Sequence, residues 1–315
     1  MQEFLEYQNL INDKQYVINM LRWDMKISSP ENSRDDLINL IGKLEEELFE
    51  LITSNKYGKI LKNCIESEEF QSLSTKEQRF IQKLLRRYEK NKKIPLDFYL
   101  EYKKLCDKST MVWTKAKEND DYEMFKPYLK KIIESTKKYY AYMKPEMQVY
   151  DAMLDEFEEG LTVDIVDKLF DEIKKELIPI IGNLKPQKTV KIKQNYTKEE
   201  LIDCAYFILD YMGLDTNSLY LGIFSHGFMT KISTNDIRIA FNAVNNPIDF
   251  LTTIIHEGGH ALFEQNVDAK LSKLDNNCIV NLNAFHECQS RFYENILGRN
   301  INFWKPIYSE IKKHI

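Results

Sequence analysis

The sequence predicts a mainly α protein, a large helical fold with one small β-hairpin beside a histidine-bearing helix. Three observations lead there. Apolar residues recur at helical spacing along most of the 315 residues. Glycine is scarce, at 10 residues, and the 8 prolines fall mainly between periodic segments, so few breakers interrupt the pattern. Only "FMTKISTNDIRIAFNAV" alternates apolar and polar residues, on either side of a Ser-Thr-Asn-Asp turn, which is a hairpin signal.

Periodicity places helices near residues 3–25, 33–54, 75–91, 96–118, 121–143, 163–183, 198–212, 247–266, 280–298 and 302–315. Ser74-Thr75-Lys76-Glu77 and Thr197-Lys198-Glu199-Glu200 fit the capping box, in which hydroxyl and carboxylate satisfy each other's backbone donors. Gly213, after "LIDCAYFILDYM", fits a helix stop. Ahead of the histidine segment, Asn246 can cap, Pro247 suits a first turn, and Asp249 favours the positive dipole end. No repeat, low-complexity linker or composition shift forces a boundary. The expectation is one helical unit over 1–315, with an N-terminal part to about 215 and a site-bearing part over 216–315.

Composition narrows the function classes. With 43% hydrophobic and 30% charged residues, a soluble globular protein is expected. A net charge of −5 and a pI near 5.7 leave no basic field to hold nucleic acid. The acidic, amphipathic start "MQEFLEYQNLINDKQ" is unlike a signal peptide, and no apolar run approaches the length of a membrane span. Five scattered cysteines (Cys64, Cys106, Cys204, Cys278, Cys288) without C-x-x-C spacing fit reduced thiols and a cytoplasmic location.

Four of the five histidines, His226, His256, His260 and His286, fall within one stretch of the chain. In "TTIIHEGGHALFEQ", His256 and His260 are four apart and share one helix face, where both imidazoles can meet one metal. Two adjacent glycines inside a helix each cost about 1 kcal/mol relative to alanine. The apolar neighbours Ile254, Ile255, Ala261, Leu262 and Phe263 can offset that by packing. Glu257 projects about 100° from His256 and about 60° from His260, flanking the metal face as a general base should. This is the H-E-x-x-H arrangement. A catalytic site needs a third ligand, and Glu287 and Glu294 on the following helix are the candidates. Spacing favours Glu287; the alternative for it is an exposed carboxylate paired with Arg291 at i+4. Gly259 flanks the metal face, leaving space there for a ligand or for the Glu287 helix. Gly258 points away from it and permits close packing behind.

"HEGGHALFEQ" followed by "FHECQSRFYENILGRNINFW" closely resembles the carboxypeptidase Taq family of metallocarboxypeptidases, which carries H-E-x-x-H followed by H-E-S-Q. Upstream, His226-Gly227-Phe228 resembles the family's H-P-F, and Asp236-Ile237-Arg238-Ile239-Ala240 its D-x-R-x-T. Weaker echoes in "LRWDMKISSP", "VWTKAKENDDYEMFKPYL" and "YDAMLDEFEEGLT" extend the resemblance over essentially the whole chain. It implies His256, His260 and Glu287 as metal ligands and Glu257 as general base and acid. It also implies zinc, or cobalt, as the metal, removal of residues from peptide C-termini, a largely helical metallopeptidase fold with a deep groove, and a homodimer. His226, Asp236, Arg238 and His286 would support the site or the substrate. Asp236 is the candidate acceptor for a ligand histidine's second nitrogen. Arg238, Arg291 and Arg299 are available to hold a terminal carboxylate.

The sequence departs from the family at Gly227, Ala240 and Cys288, where the motifs carry proline, threonine and serine. Cys288 lies about 100° around the helix from Glu287 and is expected to be a packed thiol rather than a ligand. The chain stops at "YSEIKKHI" without the family's I-R-x-x-A-D and G-x-x-Q-D-x-H-W motifs, so the expectation is a C-terminally truncated member. Two alternatives follow. One is a truncated or split member that binds metal but is inactive without a complementary C-terminal fragment. The other is a thimet-type oligoendopeptidase, against which H-E-C-Q and D-I-R argue.

Overall fold

A computed structural model describes residues 1–185, 196–243, 246–275 and 283–314. The N-terminal helices are α1 (Gln2–Ile27), α2 (Arg34–Thr53), α3 (Asn55–Glu66), α4 (Glu68–Ser72) and α5 (Thr75–Asn91). Next come α6 (Leu96–Glu118), α7 (Tyr122–Met143), α8 (Val149–Phe157), α9 (Val163–Gly182) and α10 (Lys198–Tyr211). Strands β1 (Leu219–Ile223), β2 (Phe228–Ser233) and β3 (Asp236–Phe241) precede α11 (Pro247–Gln265). The chain continues with α12 (Ala269–Leu274), α13 (Asn283–Arg291), α14 (Ile301–Trp304) and α15 (Tyr308–His314).

Both expected capping boxes are present, at Ser74 with Glu77 and at Thr197 with Glu200. Gly213 takes the left-handed conformation, φ +91°, that ends α10. Four helices lie outside the expected ranges: α3, α4, α8 and α12. Gly58 and two asparagines weaken the local signal in α3, but the Tyr88 ring lies over Gly58, where a Cβ would meet its Cζ at 2.4 Å. Packing rather than propensity settles that helix. The expected helix over 302–315 is broken at Pro306 into α14 and α15, since proline removes a backbone donor and disfavours helical geometry before it. Residues 280–282 of the expected helix over 280–298 lie outside the described residues; the rest forms α13 and a π-helical turn, Phe292–Leu297.

The expected hairpin is β2–β3, but β1 joins it, in the order β1-β3-β2, with β1 parallel and β2 antiparallel to β3. Ile237, Ile239 and Phe241 turn one face into a core with Leu201, Ile208 and Leu209 of α10 and Phe250, Ile254 and Ile255 of α11. The other face meets α1: a Cβ on Gly222 would lie 2.9 Å from both Trp23 and Ile27. A second core gathers Phe4, Ile11, Ile18, Ile38, Ile41, Leu61 and Ile81 from α1, α2, α3 and α5. Between α1, α2 and α6, buried Glu45 accepts from the Tyr99 hydroxyl at 2.7 Å and pairs with Arg22 at 2.8 Å. Arg22 also holds Asp107 bidentately, which crosslinks the three helices. The sheet thus sits between α1 and α11 and fixes the level at which α11 presents its polar face.

Candidate metal centre

Helix α11 runs unbroken through Gly258 and Gly259. Asn246 accepts from the Ile248 N–H at 3.1 Å, and Pro247 occupies the first turn. Both glycines are explained by close approach. A Cβ on Gly259 would lie 2.7 Å from Ser290 Cα and 3.1 Å from the Gln289 carbonyl, so α13 packs where a side chain would stand. A Cβ on Gly258 would meet Leu209 at 2.6 Å and Met212 at 2.9 Å, on the opposite side.

That approach brings Glu287 to the two histidines. Its Oε2 lies 3.2 Å from His260 Nε2 and 3.8 Å from His256 Nε2. His256, His260 and Glu287 offer ligand atoms that all lie within 4.8 Å of one another. Two imidazole nitrogens and a carboxylate oxygen are the donor set of a catalytic zinc-type site, and they fit a divalent metal with a position left open. The alternative reading of Glu287 is present at the same time. Its Oε1 accepts from Arg291 Nε at 2.7 Å, while Oε2 faces the histidines.

The outward nitrogens are also engaged. His256 Nδ1 lies 2.8 Å from Glu294 Oε2, which also accepts from Arg291 at 3.1 Å. His260 Nδ1 lies 2.5 Å from His286 Nδ1, and the two rings stack with centroids 4.5 Å apart. His286 Nε2 is 3.5 Å from Glu264 Oε1, and Glu264 Oε2 is 3.1 Å from buried Lys231. With Nε2 of His260 directed at a metal, its Nδ1 carries the proton and donates to His286, whose own proton then sits on Nε2, near Glu264 but without a hydrogen bond to it. Burial, followed by the neighbouring His286 and His256, holds His260 down to about 4, so its imidazole is neutral at pH 7, as a ligand must be. Burial works against the charge on Glu287. Hydrogen bonds from Arg291 and Ser290, with the nearby histidines, outweigh it and keep that carboxyl below its ordinary range.

Glu257 is buried beside this cluster, and burial, then the neighbouring Glu287, pushes its carboxyl up to about 8. A bound cation would draw it back towards ionisation. A Cβ on Gly227 would lie 3.0 Å from Glu257 Oε1 and 2.6 Å from Thr253, so the glycine there leaves room for the carboxylate. His226, Gly227, Phe228 and Met229 face His256, Glu257, His260 and His286 across a cavity of about 350 Å³. His226 and His286 therefore stand at the site.

Asp236 and Arg238 do not. They bind each other bidentately at 2.8 and 2.7 Å on the α1 side of the sheet, with Arg238 over the Tyr220 and Trp23 rings. The expected contact between Asp236 and a ligand histidine does not form; Glu294 takes that place. Arg238 and Arg291 are both engaged by carboxylates rather than standing ready for a substrate. Cys288 is exposed, not packed, because it projects away from the α11 contact. Sequence reasoning missed Glu264 and Lys231. Their signals were available: Glu264 follows His260 by four on the same helix face, and Lys231 alternates onto the α11 side of β2.

Residues 3–315 match the model of the carboxypeptidase Taq (M32) metallopeptidases. The chain is 34% identical over 320 residues to Carboxypeptidase 1 of Bacillus subtilis (strain 168), covering 99% of this chain and 62% of that protein. To Thermostable carboxypeptidase 1 of Pyrococcus furiosus it is 29% identical over 305 residues, covering 94% and 60%. Among solved structures, one described as BsuCP superposes with a TM-score of 0.88 at 33% identity, over 99% of this chain and 63% of that one. The M32 carboxypeptidase from Deinococcus radiodurans R1 gives 0.82 at 26% identity, over 100% and 63%. The chain thus spans a little under two thirds of the length of these relatives.

Proposed function

The chain belongs to the carboxypeptidase Taq (M32) metallopeptidase family, and from that premise we propose that it is a zinc-type metallocarboxypeptidase. In this reading His256, His260 and Glu287 hold the metal and Glu257 is the general base. The observation that carries it is the convergence of His256 Nε2, His260 Nε2 and Glu287 Oε2 beside buried Glu257. A zinc ion held there, or a cobalt ion in its place, supplies a Lewis acid for the scissile carbonyl and lowers the pKa of the attacking water.

The side chains do the rest. Glu257 accepts the proton of the attacking water and passes it to the departing amine. Glu294 and His286 hold the ligand rings in orientation, and Arg291 steadies both Glu287 and Glu294. His226 closes the cavity wall opposite α11, where burial, then Lys117 and His256, lowers its pKa and keeps it uncharged. The substrates in this reading are peptides with a free C-terminus, and the location is cytoplasmic. Among the described residues, no helix is long and apolar enough to cross a membrane.

Metal content followed by release of single C-terminal residues from an N-blocked peptide tests this reading. One zinc per chain is expected in both the wild type and Glu257→Gln, with release slowed about 10²- to 10⁴-fold in the variant. Failure to retain metal after zinc addition would sink the proposal. Internal cleavage products would point instead to an oligoendopeptidase, which the family match does not favour.

A further inference from the structure

A second cavity, of about 380 Å³, opens between α6, α7 and the connection from β1 to β2. His226 and Phe228 line both it and the cavity of the metal centre, so the two spaces meet at that pair. Its walls are largely aromatic: Trp113, Phe125, Phe224 and Phe228 join His226 there. Phe224 stands edge-on to Phe228, with ring centroids 5.5 Å apart, and Trp113 stands edge-on to His226 at 6.2 Å. Lys26 lies over the Phe228 ring at 4.8 Å and Lys117 over the Trp113 ring at 5.2 Å. Lys26, Thr110 and Ser109 add polar groups to the lining, and the Thr110 hydroxyl is already bonded to the Cys106 carbonyl. Ser109 is 2% exposed, and its hydroxyl has no hydrogen-bond partner among the described residues.

We propose that this cavity receives an aromatic side chain of the peptide residue next to the scissile bond, with tyrosine favoured over phenylalanine through its hydroxyl and Ser109. Edge-on rings match a further ring better than a branched aliphatic group. Lys26 and Lys117 oppose a basic side chain. A phenolic hydroxyl would satisfy the Ser109 group that otherwise stays buried and unpaired. The inference rests on the peptidase reading of the adjacent centre, because the shared wall at His226 and Phe228 makes the cavity a side-chain subsite.

Titration calorimetry on zinc-loaded Glu257→Gln, with N-blocked dipeptides, tests it beside a release assay of the zinc-loaded wild type on the same peptides. One arm varies the C-terminal residue among Tyr, Phe and Ala, and the other varies the residue before it. In one arm the aromatic peptides should bind about tenfold or more tightly than the alanine peptide. Trp113→Ala should remove most of that preference while leaving the alanine peptide within about twofold. Ser109→Ala should weaken tyrosine about fivefold, to the level of phenylalanine, and leave phenylalanine unchanged. Equal binding of aromatic and alanine peptides in both arms overturns the proposal, as does a Trp113→Ala loss that falls equally on all peptides. Aromatic-selective binding without release would leave the subsite standing and remove the hydrolytic reading. Release without aromatic selectivity would do the reverse.

Discussion

His260 turns Nε2 towards Glu287 and Nδ1 towards His286, and behind His286 the buried pair Glu264–Lys231 closes the chain of contacts. Such outer contacts fix the tautomer and angle of a ligand ring, and losing one typically costs 10- to 100-fold in metal affinity. Glu264→Gln is therefore expected to weaken zinc binding by about that factor in a chelator competition, although Glu264 touches no metal in the proposed ligand set. Unchanged affinity would show that the His286 contact orients the ring unaided. The two glycines differ in a measurable way. Alanine at 259 meets α13 backbone at 2.7 Å, so one of the helices must shift, with a net loss on the order of 1–2 kcal/mol in urea unfolding and weaker zinc binding. Alanine at 258 meets the movable ends of Leu209 and Met212, and its helix-propensity gain should leave stability within about 1 kcal/mol. At this scale the histidine pair and Glu257 were legible because helix periodicity fixes which side chains share a face, whereas Glu287, on another helix, was favoured by spacing and by the family resemblance. Asp236 was misplaced because nothing local distinguishes a partner across the sheet from a partner beside it.

Helices α5, α7 and α8 meet at an ionic cluster around the buried Lys144. Lys144, at the end of α7, pairs with Glu156 at 2.6 Å and with Asp155, both on α8, and Lys90 of α5 also pairs with Glu156. Burial opposes the Glu156 charge, but hydrogen bonds from Lys144 and Lys90 outweigh it and hold the carboxyl below its ordinary value of 4.5. Asp155 is likewise held below 3.8, as the bond from Lys144 and that from the Gly160 N–H outweigh burial. A depressed carboxylate contributes stability that is present above its unfolded pKa and lost as pH falls through the folded one. Stability should therefore decline below about pH 4.5, with Glu156→Gln less stable than the wild type at pH 7 and converging with it in acid. Parallel stability curves for the two proteins would remove Glu156 from the account. Helix α8 itself was not legible in the sequence. It is nine residues long, and it is anchored by these nonlocal charges rather than by a long apolar stripe.

Helix α9 has no buried residue over Val163–Gly182, and its Leu169, Phe170, Leu177 and Ile181 are at least 47% exposed. A continuous apolar face of this kind marks a surface that associates. Sedimentation at increasing concentration is expected to show this chain self-associating, with Leu169→Glu and Ile181→Glu together shifting it towards monomer. A concentration-independent monomer would count against that role for the face. The expectation is one unit, and the parts on either side of residue 215 pack together: Leu201, Ile208 and Leu209 of α10 share the core of α11. In the same way α1, from the opposite end of the chain, covers the outer face of the sheet.

The helical class, the capped starts of α5, α10 and α11, the β2–β3 hairpin and the H-E-x-x-H face were all readable along the chain. Each of these depends on contacts within a few residues, where spacing translates directly into geometry. The addition of β1 to the sheet, the Glu294 and His286–Glu264–Lys231 contacts behind the ligands, and the aromatic cavity shared at His226 and Phe228 emerged with the packed fold. Those join residues far apart in the chain, and their positions depend on how closely the helices and the sheet pack.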